Sequence, residues 1–308
     1  MFISVKEAAA RWKVSDRVVR RYCTQGRIMG AIRDGKSWLI PDDATKPSAI
    51  VPEQPAPKPK LEYSSLAKRI LYEKGKNNHF GIYEYIQVNL AYSSNRMASN
   101  RLTREQVVDL FRTNKVSVGF EPMKVDDVLE TIAHFDCVSL VIENMGAPIT
   151  EDLIKRLHRV LYYGTYADRK KIVRPGSYRK ESDKLGIRPE LINCELEALI
   201  KWYEKLYPVT LDDILDFHVR FERIRPFPDG NGRVGRLIMM KECLRHGIDP
   251  LIIDDKRRSR YNKGIAAWNK DREQLREVCL EAQSNFQAQR ELCKLMLYHR
   301  PPTGRGTR

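Results

Sequence analysis

Arg225-Pro226-Phe227-Pro228-Asp229-Gly230-Asn231-Gly232-Arg233-Val234-Gly235-Arg236 is a loop that opens directly into a helix. Gly230-Asn231-Gly232 supplies backbone free to turn its N–H groups toward an anion, and a helix N-terminus binds phosphate readily. Arg233 and Arg236 share one helical face, so two guanidiniums project over the same anion, while Val234, Leu237, Ile238 and Leu244 form an apolar stripe. Asp229 beside a polyphosphate would be repelled unless a cation such as Mg2+ lay between them. Asp-Gly and Asn-Gly are common turn dipeptides, so Asp-Gly-Asn-Gly alone reads equally as a surface turn. The twelve residues together point to a cradle for a metal-bound nucleotide.

With His218 and Phe221-Glu222-Arg223-Ile224 in front, the segment resembles the signature of Fic-domain proteins, His-Pro-Phe-x-Asp-Gly-Asn-Gly-Arg-x-x-Arg. The resemblance implies a mainly α, helical domain with a small β-hairpin flap, which binds ATP with Mg2+ and transfers AMP to a Ser, Thr or Tyr hydroxyl. It implies that Asp229 holds the metal, that Gly230, Asn231 and Gly232 hold the phosphates, and that Arg233 and Arg236 neutralise the β- and γ-phosphates. Phe227 would anchor the loop in the core. The family's catalytic His falls at Arg225. An arginine stays protonated, with a pKa above ~12, and cannot accept the proton that a target hydroxyl must lose. General-base catalysis is worth ~10²–10⁴ in rate, so transfer is expected to be weak or absent. His218, on a helix expected over 211–223, reads as a packing or hydrogen-bonding residue, because the family has a separate His there.

Upstream, Arg174-Pro175-Gly176-Ser177-Tyr178-Arg179 resembles the family's flap, which aligns a target segment as an added strand. By itself Arg-Pro-Gly is only a turn. Arg174, Gly176, Tyr178 and Arg179 are therefore candidates for target docking, and Tyr261 for flanking the adenine unless it is a core tyrosine. Many members also carry an inhibitory helix, [Ser/Thr]-x-x-x-Glu-[Gly/Asn], whose Glu pairs with the second motif arginine. Ser139 to Asn144 fits those letters but its place in the chain looks wrong. Tyr92 to Thr103 lies where family members have the inhibitory segment, and aligned there Ser94 is kept and the Glu has become Ala98. The second placement is preferred, with Glu143 an exposed helix charge. Removal of AMP would need a Glu to activate water, and Ala98 speaks against it.

The first residues carry an independent pattern. Ser4-Val5-Lys6-Glu7 is a capping box opening a short helix with Ala8, Ala9 and Trp12, and Lys13-Val14 is a turn. Ser15 caps a second helix with Val18, Val19 and Tyr22 inward, and Gly26 ends it. Ile28 to Ala31 and Trp38 to Ile40 read as a hairpin around Asp34-Gly35, with Pro41 as a stop. This resembles the MerR and excisionase-like winged helix-turn-helix group. The resemblance implies double-stranded DNA as partner, with Arg17, Arg20 or Arg21 in the major groove and Arg33 or Lys36 of the wing at the backbone. A small helical hairpin with solvated arginines is the alternative. One such module buries little surface, so specific binding favours a homodimer on a two-fold site.

The expected organisation is a DNA-binding domain over 1–43, a proline-rich linker over 44–60, the Fic domain over 61–300 and a disordered tail over 301–308. Helical patterns run over 61–72, 81–92, 103–111, 125–144, 151–163, 189–206, 211–223, 233–246 and 256–298, the last broken near Asp271. The formal charge of +15 suits a nucleic-acid partner, but the first 43 residues hold nine Lys or Arg against five Asp or Glu, only +4 of it. Charge alone therefore does not locate a DNA site. The six cysteines lack metal-ligand spacing and read as reduced thiols. No apolar run approaches the ~18 residues of a membrane span, and Met1-Phe2-Ile3 leads into a helix cap rather than a signal peptide, so a cytoplasmic protein is expected. The expected function is protein AMPylation, of a target or of the chain itself, coupled to DNA binding and impaired at Arg225. The alternative is a nucleotide-sensing DNA-binding regulator without turnover.

Overall fold

The computed structural model describes residues 2–24, 28–35, 37–47, 62–76, 80–117 and 122–298, the last five of these by backbone alone. Gly26, Arg27, Lys36, residues 48–60 of the expected linker and the expected tail 301–308 lie outside the described residues. The chain divides into two compact units, Met1–Pro59 and Lys60–Arg308.

In the smaller unit, strand β1 (Phe2–Ser4) runs into helix α1 (Val5–Trp12), followed by α2 (Asp16–Thr24), β2 (Ile32–Asp34) and β3 (Ser37–Pro41). Ser4 and Glu7 form the expected reciprocal capping box, Glu7 accepting from the Ser4 N–H at 2.7 Å. Lys13 then ends α1 in the left-handed region, φ 52°, which makes the sharp turn into α2. Val5, Ala8, Ala9 and Trp12 from α1 pack with Val19, Tyr22 and Cys23 from α2 and with Ile28 and Ile40. That buried set is what the helical spacing of the apolar residues dictates. The sheet differs from expectation. Its order is β1-β3-β2, all antiparallel, and the first wing strand falls at Ile32–Asp34 rather than Ile28–Ala31. Ile28 is instead committed to the core, and Gly30 turns the chain at φ +75°, where a Cβ would come within 2.9 Å of Pro41. Three residues of β1 are too few to show a period of two in the sequence.

The larger unit is helical: α3 (Ser65–Gly75), α4 (Ile82–Met97), α5 (Arg104–Thr113), α6 (Val125–Glu143), α7 (Glu151–Tyr162), α8 (Tyr166–Arg169), α9 (Ile192–Glu204), α10 (Leu211–Ile224), α11 (Asn231–Arg245), α12 (Arg258–Ala267) and α13 (Glu273–Tyr298). Apart from the short α8, which no periodic segment announced, these match the periodic segments to within a few residues, except that α4 extends to Met97 and α11 begins at Asn231. The central element is α11, packed against α10, α6, α7, α4 and α3. It is buried nearly all round rather than along one stripe, as a helix enclosed on every side must be. Its buried charges are paired accordingly, Lys241 with Glu242 at 2.7 Å. Residues 170–188, which include the expected flap at 174–179, form turns and irregular chain without strand pairing. Arg174 closes only a turn, its carbonyl accepting from the Ser177 N–H at 3.0 Å. No helix among the described residues is long and apolar enough to cross a membrane.

Candidate active site

The site grows from the junction of α10 and α11. Helix α10 opens on a Thr210–Asp213 capping box and closes at Arg225, which takes the left-handed conformation (φ 47°) and donates its N–H to the Phe221 carbonyl at 3.1 Å. The carbonyls freed at that end are gathered by Arg179. Its Nε donates to Arg225 O at 2.7 Å and one Nη to Ile224 O at 3.3 Å, while its own N–H reaches Pro226 O at 2.9 Å. Two further donations, to Glu181 O and Ile187 O, complete the staple. A guanidinium at a helix C-terminus satisfies orphan acceptors and the negative end of the helix dipole together. Arg179, 6 % exposed, thus spends its guanidinium on holding the loop.

Beyond Arg225 the loop dives into the core. Phe227 is fully buried and stacks on His158 with centroids 3.8 Å apart, and Tyr178 tilts against it at 5.4 Å. Asn231 ties the loop by accepting from the Phe227 N–H at 2.9 Å and donating to its carbonyl at 2.8 Å. Gly230 then turns at φ +79°, with Tyr162 Cε2 only 2.6 Å from where a Cβ would stand. Only glycine meets both conditions. Gly230→Ala is therefore expected to cost roughly 1–3 kcal/mol of stability and to displace the loop, read as a lowered melting temperature and weakened nucleotide binding. Helix α11 starts immediately after, with no side chain capping its first N–H groups, which leaves donors aimed outward as an anion would require.

A cleft of about 530 Å³ opens over this helix start. Arg225, Asp229, Gly230, Asn231, Gly232, Arg233, Arg236 and Tyr261 line it, joined by Met97, Ala98, Glu222, Arg223 and Arg258. The nucleotide-site candidates are thus brought together. Arg236 donates from Nε to Ser94 Oγ at 3.0 Å and from Nη2 to Ser94 O at 3.3 Å. Ala98, the residue capping α4, stands in the same wall. Glu143 instead pairs with Lys74 at 2.7 Å, on a side chain 56 % exposed. Arg233 is 3 % exposed and tethered: one Nη donates to the Tyr162 hydroxyl and lies 3.8 Å from Asp229, and the other is 3.2 Å from the Glu130 carboxylate of α6. Burial works against ionisation of Asp229, but Arg233, the Tyr162 hydroxyl and the Gly230 N–H outweigh it and hold the carboxyl below its ordinary range. Its side chain stays 71 % exposed, so an ionised oxygen is presented to the cleft.

Arg225 lines the cleft but is ion-paired at its edge. Its Nε donates to Asp183 at 2.9 Å, and Asp183 also accepts from the N–H groups of Leu185 (2.8 Å) and Gly186 (3.2 Å). Burial raises the Asp183 pKa, yet those N–H groups and Arg225 prevail and lower it, so the pair is charged on both sides at neutral pH. His218 is 1 % exposed, its ring contacts the Tyr261 hydroxyl, and burial pushes it down to about 3. It is a neutral core group, as its place seven residues before Arg225 suggests. Tyr261, buried to 1 %, belongs to that same packing; its ring supports the cleft wall and its hydroxyl is spent on His218.

Tyr162, His158, Glu130, Asp183 and Glu222 were missed in the sequence. His158 and Tyr162 carried a signal, four residues apart on one face of α7 next to the apolar run. Glu222, three residues before Arg225, shared its helical face; burial raises its pKa, against the pull of Arg236 and Arg225. Glu130 and Asp183 carried none. In the smaller unit Arg17, Arg20 and Arg21 stand exposed on α2 and Arg33 is exposed on β2; Lys36 is outside the described residues.

Residues 148–243, which include the whole loop and α11 up to Cys243, match the Fic/DOC family. That segment is similar to a Fic domain. The chain is similar to a protein adenylyltransferase Fic of Nematostella vectensis, 26 % identical over 55 % of this chain and 40 % of that protein. A probable protein adenylyltransferase of Aquifex aeolicus is also 26 % identical, over 48 % of this chain and 49 % of its own length. The chain therefore spans less than half of the curated relatives it matches. Among solved structures, a Fic domain containing signaling protein from Bacteroides thetaiotaomicron superposes with a TM-score of 0.61 at 19 % identity, over 79 % of this chain and all of that one. Fic-1 of C. elegans gives 0.59 at 18 % identity, over 75 % of this chain and 72 % of its own. At such identities the likeness shows the fold alone; the chemistry rests on the cleft.

Proposed function

We propose that the Fic domain is a protein adenylyltransferase, taking Mg-bound ATP and moving AMP to a Ser, Thr or Tyr hydroxyl of a target protein or of the chain itself, and that Arg225 leaves this chain weak in that reaction. The observation that carries the reading is the cleft at the start of α11, where Arg233 and Arg236 flank uncapped N–H donors and an ionised Asp229. In the transfer, the hydroxyl oxygen bonds to the α-phosphorus, the bond from that phosphorus to the β-bridging oxygen breaks, and pyrophosphate leaves. Arg233 and Arg236 stabilise the charge that collects on the leaving phosphates. Mg2+, when bound, would neutralise phosphate oxygens. Asp229 would hold it, since its ionised side chain is presented to the cleft. The hydroxyl proton finds no acceptor in Arg225, whose guanidinium is already ion-paired with Asp183. Ala98 leaves the cleft without the inhibitory carboxylate of the related segment.

The exposed arginines of α2 and β2 support double-stranded DNA as the partner of the smaller unit, bound by a dimer on a two-fold site. A second reading is favoured by one observation, that the anion site is whole while the base position is occupied by a cation. The chain is then a nucleotide-sensing regulator in which ATP changes DNA affinity without chemistry. Incubation with Mg2+ and α-labelled ATP, in parallel for this chain and Arg225→His, separates the two. Label on the variant supports the transferase; ATP binding without label on either protein, and with nucleotide-dependent DNA affinity, supports the sensor.

A further inference from the structure

A second depression, about 600 Å³, lies beside the loop and is lined by Lys171, Ile172, Arg174, Ser177 to Asp183 and Pro228. Pro228 belongs to the motif loop, and Asp183 is the residue paired with Arg225, so that ion pair stands between this groove and the nucleotide cleft. A segment lying in the groove would present a hydroxyl toward position 225.

We propose that this groove receives an acidic segment of a target protein, so that the substrates of the transferase are hydroxyls flanked by Asp and Glu. The inference rests on the adenylyltransferase reading above. Three observations carry it. First, among the described residues Lys171, Arg174 and Lys180 make no side-chain ion pair, and all three are exposed. Second, the acids nearby are already engaged: Asp183 by Arg225 and two N–H groups, and Asp168, on the adjacent α8, by the Gly164 N–H at 2.9 Å. Of the two acids lining the groove, Glu181 is the one without a side-chain ion pair among the described residues. Third, the N–H groups of Tyr178 and Lys180 form no backbone hydrogen bond among the described residues, while that of Arg179 between them is turned inward to Pro226. Two donors left open on either side of a bonded one suit an added peptide strand, the docking that this segment's resemblance to the flap implies, and the three cations add the preference for acidic neighbours. A duplex would meet phosphates with the cations but leave these donors unused. Ile172, 65 % exposed, adds an apolar contact at the rim.

The test is fluorescence anisotropy on the full chain with two labelled peptides of equal length. Each holds one central Tyr, flanked in one by Glu and Asp and in the other by Lys. The acidic peptide is expected to bind and to weaken on the order of tenfold with Lys171→Glu/Lys180→Glu, and likewise with added salt, while ATP binding stays unchanged. The Lys-flanked peptide should bind no better to the parent chain than to buffer controls. Equal binding of both peptides, or no response to the charge reversal, overturns the proposal. So does a result in which the reversal leaves the acidic peptide alone but weakens a 20-base-pair duplex, because the groove would then serve nucleic acid. Binding is read without any transfer step, so failure of the adenylyltransferase reading would appear separately, as absence of label from Arg225→His.

Discussion

Arg225→His is expected to raise AMP transfer to protein by about 10²–10⁴-fold, the range that general-base catalysis supplies. The backbone needs no rebuilding for it, because the left-handed turn at φ 47° is fixed by the Arg179 staple and by the Phe221 carbonyl rather than by the arginine side chain. Asp183, now the acceptor for Arg225 Nε at 2.9 Å, would become an acceptor for an imidazole N–H, leaving the other nitrogen for the hydroxyl proton. Arg225→Lys keeps the cation and should stay inactive. Label appearing equally on the parent chain and on Arg225→His would mean that the proton leaves by another route and that the base assignment is wrong. The same background exposes the second substitution. Ala98→Glu added to Arg225→His places a carboxylate beside Arg236, and one charge-assisted hydrogen bond, about 1.5–3 kcal/mol, should reduce labelling roughly 10–100-fold. Unchanged labelling in the double variant would move the inhibitory position away from residue 98.

How far the sequence carried this reading depended on whether a contact was local. The capping boxes at Ser4 and Thr103, the helices of the larger unit and the phosphate loop were legible because turn chemistry and helical periodicity are written within a few residues. Ser94 and Ala98 were legible only through family resemblance; Ala98 lines the cleft, and the buried Ser94 accepts from Arg236 across 142 positions of sequence. What escaped was long-range pairing of ordinary charges. Glu130 sits on an amphipathic helix like many glutamates and becomes notable only once folding sets it 3.2 Å from Arg233. Asp183 was an unremarked acid in an irregular stretch. The contacts of Arg179 escaped for a related reason: Arg-Pro-Gly-Ser-Tyr-Arg announces a turn, but not that its last guanidinium would donate to carbonyls of the helix behind it. The wing shifted because Gly30 and Ile28 serve the core before they serve the sheet.

Three buried histidines set the last expectation, a steep loss of stability in mild acid. His134, His158 and His218 are each at most 1 % exposed, and burial pushes each down to about 3. Unfolded, each takes up a proton near its ordinary value of about 6.5; folded, each stays neutral until far lower. The unfolded state thus binds more protons throughout that window, so the stability these groups contribute is complete above about 6.5 and drains away as the pH falls toward about 3. With all three protonated in the unfolded chain, the loss approaches on the order of 4 kcal/mol per pH unit, against a total of roughly 5–15 kcal/mol for a typical domain. The damage centres on the candidate site. A proton on His134 would face the positive charges of Arg233 and Arg236, and one on His158 would charge the ring that supports Phe227 beneath the loop. Urea titrations at pH 7.5, 6.5, 5.5 and 5.0 should show the midpoint falling progressively below 6.5. His134→Leu, which deletes one titrating ring and no side-chain contact to the loop, should flatten the slope by about one proton. A midpoint that holds steady between pH 6.5 and 5.0 would mean that the folded protein takes up these protons as readily as the unfolded chain does, and that the histidines are not the buried neutral groups their packing makes them.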